Sequence, residues 1–126
     1  MSLRTPLSRV LWRGTAKNGT GHFWGQRVSG VALVLLGLWF AGSMTTISGS
    51  VHADALAFIG APLNGVLLLL LSVTIAYHSH IGVQVVIEDY VHGHGLNMIS
   101  LIVSRFAHSL FAVISVYAIF KIGLGA

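Results

Sequence analysis

Cysteine is absent from the 126-residue chain. That excludes disulfides, Cys-ligated zinc, thiol catalysis and any iron–sulfur cluster held by the chain's own thiolates. Acidic residues number only 3, and all charged residues together make up 8%, against roughly 25% in ordinary soluble proteins. A folded chain this short exposes much of its surface, and so little charge cannot cover it. The composition therefore argues against a soluble enzyme, a disordered tail or a cytosolic binding module. What is present in quantity is apolar: 55% hydrophobic residues and a mean hydropathy of +0.84. This describes a small membrane protein of one domain. Seven histidines against three acids are the odd feature.

Residues 1–27 are polar and basic, with Arg4, Arg9, Arg13, Lys17 and Arg27 and no acid. They hold no apolar core of the kind a cleaved secretory signal needs. An acid-free start with Arg and Ser also fits a mitochondrial presequence, but a basic cytoplasmic arm at a membrane surface is the preferred reading. Three apolar runs follow, near 28–47, 63–87 and 96–122. Each reaches the roughly 20 residues that cross a hydrocarbon core of about 30 Å. Without water to satisfy the backbone, such runs must be helical. The expected fold is all-α with three transmembrane helices. The joining segments, 48–62 and 88–95, carry Pro62 at a helix start and Gly93 and Gly95 as turn punctuation. Basic residues crowd the N-terminal side and only Lys121 marks the other, so the N-terminus and the 88–95 turn are expected inside.

Helical faces refine the picture. Gly30, Gly37 and Ala41 form a small-residue stripe on the first span, read as a packing surface. Ser100, Ser104, His108, Ala112 and Ser115 share a polar and small stripe on the third, expected to face protein rather than lipid. The second span carries the strongest signal. His78 lies twelve residues before Tyr90, about 18 Å along the axis and deep in the bilayer. Gly82, Val85 and Asp89 fall within about 40° of it, whereas His80 points about 160° away. A deep imidazole with a glycine one turn off suits an axial haem ligand. A histidine bonded to a neighbouring helix fits the spacing equally well. His80 reads as a helix–helix contact. His108 sits at a depth matching His78, so one chain could in principle give both axial ligands, although a small three-helix chain leaves little wall around a porphyrin.

Glu88, Asp89 and Tyr90 gather where the second span meets the inner interface. Interfacial tyrosines and acids are ordinary there. The functional alternative is a quinone head-group site, with a phenol donating to a carbonyl and Asp89, His92 and His94 relaying protons. The H-x-H pair His92 and His94 has no convincing further metal ligands and reads as a solvated turn. His52 with Asp54 in the outer loop reads the same way.

The stretch His78-x-x-x-Gly82-x-Gln84-Val85-Val86-Ile87-Glu88-Asp89-Tyr90-Val91-His92-Gly93 resembles the hydrophobic membrane-anchor subunit of succinate dehydrogenase, especially its alphaproteobacterial and mitochondrial-like forms. So do the segment GTGHFWGQRV before the first span, the three-span layout and the Lys121-Ile122 ending. The resemblance covers nearly the whole chain. It implies an anchor of respiratory complex II, paired with the other membrane chain, the cytochrome b subunit, and holding the flavoprotein and iron–sulfur subunits; nucleic acid has no part in it. It also implies His78 as a haem b ligand, with the second axial histidine supplied by that other membrane chain. Tyr90 then serves as a ubiquinone hydrogen-bonding residue, Asp89 as its acidic neighbour in proton uptake, and Arg27 as a basic residue near the haem propionates and quinone. Arg105 and His108 match no motif of the family, and the resemblance assigns His22 no role. A bacterial inner membrane is the expected location, ahead of the mitochondrial inner membrane. Two rivals remain: a small b-type cytochrome subunit of another quinone oxidoreductase, and a cofactor-free transporter or assembly protein.

Overall fold

The computed structural model describes residues 19–47 and 51–125. Four helices follow in order: α1 (Gly19–Met44), α2 (Val51–Gly60), α3 (Pro62–Tyr90) and α4 (His94–Gly123). Three of them, α1, α3 and α4, are long and apolar enough to cross a membrane. Among the described residues there is no strand. The expected all-α, three-span architecture is the observed one. Arg4, Arg9, Arg13 and Lys17 lie outside the described residues.

The helices run longer than the apolar runs. Polar residues 19–27 are already helical in α1, so part of the expected basic arm is the first turns of the first span. Backbone hydrogen bonding propagates outward from a nucleated span at little cost per residue. At the other end, Thr45 and Thr46 turn their hydroxyls onto the carbonyls of Gly42 and Ser43, each at 2.7 Å. The backbone N–H groups of Thr45 and Thr46 reach the same two carbonyls at 3.2 and 3.1 Å, so α1 tightens into i→i+3 turns and ends. The first joining segment is not all loop: VHADALAFIG forms α2, consistent with its Ala and Leu content. His52 and Asp54 ride on that helix. Trp39 of α1 stacks on Phe58 of α2 with centroids 5.9 Å apart.

Pro62 opens α3 in its first turn, where a missing N–H costs nothing. A Cβ on Gly65 would stand 3.3 Å from the Ile59 carbonyl, so that glycine permits the sharp α2–α3 corner. α3 continues through Glu88, Asp89 and Tyr90 and ends on Val91, whose N–H reaches Ile87 O at 2.9 Å. The turn between α3 and α4 shrinks to residues 91–93. Asn97 secures it by donating from its side-chain amide to Ile87 O (3.2 Å) and Val91 O (3.0 Å).

α3 is the central helix. It packs against α1, α2 and α4, whereas α1 and α4 do not touch each other across it. The three buried apolar residues are Leu71, Ala76 and Ile81, all on α3. Successive steps of five residues rotate by about 140°, so these three surround the helix rather than line one face. Neighbours on more than one side bury them. The spanning helices therefore form an open row, not a closed bundle. Large apolar side chains such as Leu35, Leu38, Val103, Phe106 and Val113 stand exposed along α1 and α4, as lipid-facing or partner-facing positions do.

Candidate functional site

The α1–α3 contact is built from small residues. On α1, Gly25 and Ser29 stand four apart, a small-xxx-small pair that lets helices approach closely. A Cβ on Gly25 would lie 2.5 Å from the Tyr77 hydroxyl and 3.5 Å from Ile81. One on Gly30 would lie 3.5 Å from the His78 ring. Close approach is thus concentrated at Gly25 and Gly30. Gly37, placed on the packing stripe by its spacing, has nothing within 4 Å of a Cβ.

His78 sits in this contact, half-buried. Its Nδ1 is 2.8 Å from the hydroxyl of Ser29, the one buried polar side chain among the described residues, at 6% exposure. That hydroxyl donates its single proton to the Gly25 carbonyl at 2.6 Å. With that proton so committed, it accepts from His78 in the tautomer that carries its proton on Nδ1. Nε2 is left as the basic nitrogen. The Gln26 amide nitrogen approaches it at 3.4 Å, and Gln26 Oε1 is buried with no partner. The space beside Gly82, expected to be open, holds that amide, 3.8 Å from where a Cβ would be. A cavity of about 360 Å³ lies along the same contact, lined by Gly25, Ser29, Ala32, Thr74 and Tyr77 among others.

The opposite side of α3 has its own imidazoles. His80 faces His108 of α4 with ring centroids 5.6 Å apart, the helix–helix contact expected of it. His108 donates from Nδ1 to the Ser104 carbonyl at 2.7 Å. Ser100, Ser104, His108, Ala112 and Ser115 are all half-buried on an otherwise largely exposed helix, so the polar stripe does face protein. His78 and His108 consequently lie on different sides of α3 and do not face one another across a shared space.

Asp89 and Tyr90 occupy the last turn of α3, both exposed, Tyr90 at 78%. Glu88 accepts from the Gln84 amide at 2.8 Å. His92 and His94 are exposed, and His92 donates from Nδ1 to Tyr90 O at 3.1 Å. Arg27 is exposed and rests its guanidinium over the Phe23 ring, 4.8 Å from the centroid. Among the described residues no group of three His, Cys, Asp or Glu is placed to hold a metal ion.

The residues that sequence reasoning missed are Ser29, Gln26, Gly25 and Asn97. The Gly25-x-x-x-Ser29 spacing was a readable signal for the α1–α3 contact. Nothing in the sequence could pair Ser29 with His78, 49 positions apart.

Three apolar spans and a polar contact at membrane depth define a small multi-pass helical membrane protein. A family model for the succinate dehydrogenase/fumarate reductase transmembrane subunit matches residues 1–120. The chain belongs to that family. It is 30% identical over 122 residues to the succinate dehydrogenase hydrophobic membrane anchor subunit of Paracoccus denitrificans, covering 97% of this chain and 94% of that one. The identically named proteins of Rickettsia prowazekii (37% over 109 residues, 86% of each chain) and Rickettsia bellii (32% over 120 residues, 95% and 96%) are similar. With these bacterial relatives and three spans, it is a multi-pass inner-membrane protein.

Proposed function

We propose that the chain is the hydrophobic anchor of a succinate:ubiquinone oxidoreductase, giving one axial ligand to haem b and part of the ubiquinone site. The observation that carries this reading is the hydrogen-bonded setting of His78. Ser29 accepts from Nδ1, fixing the ring and leaving Nε2 as a lone-pair donor, the arrangement that protein ligands to metals commonly adopt. Gly30 and Gly82 add no side chain of their own beside the imidazole. The Gln26 amide rests at Nε2, 3.4 Å away, and has to swing aside for iron to reach that nitrogen. Haem b, when bound, supplies one-electron storage. The second axial ligand comes from the partner cytochrome b chain, since His108 lies beyond the other side of α3.

Tyr90 and Asp89, exposed at the end of α3, serve the quinone. The phenol donates a hydrogen bond to a quinone carbonyl, and the carboxylate passes protons from water to the reduced ring. Arg27, on α1 at the same end of the row of helices, offers a fixed positive charge for haem propionates. That end faces the cytoplasm, by the basic excess before α1, and receives the iron–sulfur and flavoprotein subunits. Succinate is oxidised in the flavoprotein, and the electrons pass through iron–sulfur clusters that this cysteine-free chain cannot hold. Affinity purification in mild detergent tests the assignment. It predicts co-purification of a flavoprotein, an iron–sulfur protein and a second small membrane chain, with succinate-reducible haem. Isolation without these chains contradicts it.

A further inference from the structure

We propose that the cleft between α3 and α4 binds the phosphate of an anionic phospholipid, with Arg105 as its charged ligand. The cleft has a volume of about 210 Å³ and is lined by His80, Gln84, Met98, Leu101, Ile102 and Arg105. It adjoins a second cavity of about 220 Å³ that shares His80 and Arg105 and extends to His108. The quinone and haem reading uses none of these groups, and His78 lies on the α1 side of α3.

Arg105 is exposed and cannot shed its charge. It lies eleven residues into α4, about 16 Å from the start of the helix. α4 spans 30 residues, about 45 Å against a hydrocarbon core of about 30 Å. With the excess shared between both ends, the Arg105 backbone lies roughly 9 Å below the hydrocarbon boundary. Helical side chains lean toward the N-terminus, here the near surface, and arginine extends its head group toward that surface. The guanidinium therefore comes within reach of the phosphate layer.

The chain's own acids do not neutralise it. Asp54 is in the first turn of α2, at the far end of the row. Asp89 falls on the His78 side of α3. Glu88 is engaged by Gln84 one turn nearer the surface. His80 lines the same cleft, with its Nδ1 turned inward and buried rather than presented to a ligand. Met98, Leu101 and Ile102 form the apolar part of the lining, suited to the start of an acyl chain. A fixed cation beside an apolar floor at this depth matches a phosphodiester carrying fatty chains. α4 is the outer helix of the row and has no contact with α1, which leaves the cleft open to lipid.

The test uses the assembled, detergent-washed complex and counts bound phospholipid by native mass spectrometry. Wild type retains one anionic phospholipid per chain that Arg105→Gln lacks, and Arg105→Lys, without the planar fork, retains an intermediate amount. After delipidation, phosphatidylglycerol vesicles raise the thermal stability of wild type but not of Arg105→Gln. Phosphatidylcholine vesicles and inorganic phosphate raise neither. Equal anionic lipid in wild type and Arg105→Gln overturns the proposal. So does an Arg105→Gln complex that sheds a subunit while wild type holds no anionic lipid, since a partner carboxylate is then the counter-ion. If Arg105→Gln does not assemble, the delipidated wild type decides alone: stabilisation by phosphatidylcholine or phosphate to the same extent overturns it. Haem content is not a readout, so failure here leaves the His78 reading untouched.

Discussion

Replacing Ser29 with alanine isolates the contact on which the haem reading depends. The hydroxyl makes three interactions of unequal worth. Its contacts with the Gly25 and Gln26 carbonyls are internal to α1, and those carbonyls also accept helical backbone bonds, so losing them costs little. Its bond to His78 Nδ1, at 2.8 Å, is different. In Ser29→Ala the Nδ1–H is left without its acceptor in a half-buried setting. An unsatisfied buried donor costs about 1–3 kcal/mol, while side-chain hydrogen bonds between membrane helices average about 0.6 and reach about 1.7. We take about 1–1.5 kcal/mol, which is roughly five- to tenfold in an equilibrium constant. Loss of a group that orients a metal-ligating histidine commonly costs about 10–100-fold in affinity, so about tenfold weaker haem retention is the expected result. The assay is haem per flavin in the purified complex, with the reduced band position and midpoint potential. Dye-coupled succinate oxidation serves as the assembly control. Ser29→Thr keeps the hydroxyl and should restore wild-type values. Unchanged haem content, band position and potential in Ser29→Ala would refute the role of Nδ1 described above.

Two further predictions concern packing and chemistry. Gly25→Leu places a Cβ 2.5 Å from the Tyr77 hydroxyl and should destabilise the α1–α3 contact by about 1–3 kcal/mol, the usual cost of overpacking. Gly37→Leu meets no neighbour within 4 Å and should leave the thermal midpoint in detergent unchanged; equal effects at both positions would contradict the packing account. Tyr90→Phe should lower quinone reduction by one to two orders of magnitude, the scale of a lost catalytic hydrogen bond of about 1.4–2.8 kcal/mol, while dye-coupled succinate oxidation persists. Unchanged quinone turnover would remove Tyr90 from the site.

The architecture was legible in the sequence because lipid imposes a simple rule. Apolar runs near 28–47, 63–87 and 96–122 had to be helices, and α1, α3 and α4 are those helices. The polar stripe from Ser100 to Ser115 correctly marked the face of α4 that meets α3, since a 3.6-residue period converts spacing directly into direction. Helix ends were less legible. Hydropathy falls before hydrogen bonding stops, so residues 19–27 and 88–90 read as arm and turn although they continue their helices. α2 was hidden for a related reason: ten residues cannot span a membrane, and a hydropathy reading scores such a segment as a loop.

The site divides in the same way. His78 stood out because an ionisable group at depth is rare, and its direction away from His80 followed from the wheel. Its partners did not follow. Ser29 and Gln26 belong to another helix whose rotation about its own axis is set by the Gly25–Tyr77 and Gly30–His78 approaches, and pairwise contacts of that kind leave no periodic trace. The expected gap beside Gly82 shows the limit most clearly. A missing side chain on one helix states that room exists there, and only the neighbouring helix decides that Gln26 takes it.

The reduced-minus-oxidised spectrum of the purified complex carrying His78→Ala, set beside wild type, tests the central claim most directly. The expected result is a succinate-reducible b-type band in wild type that is lost or strongly diminished in His78→Ala, with the flavoprotein still attached. A full-strength, unshifted band in His78→Ala would contradict the haem assignment and return His78 to a purely structural contact with Ser29.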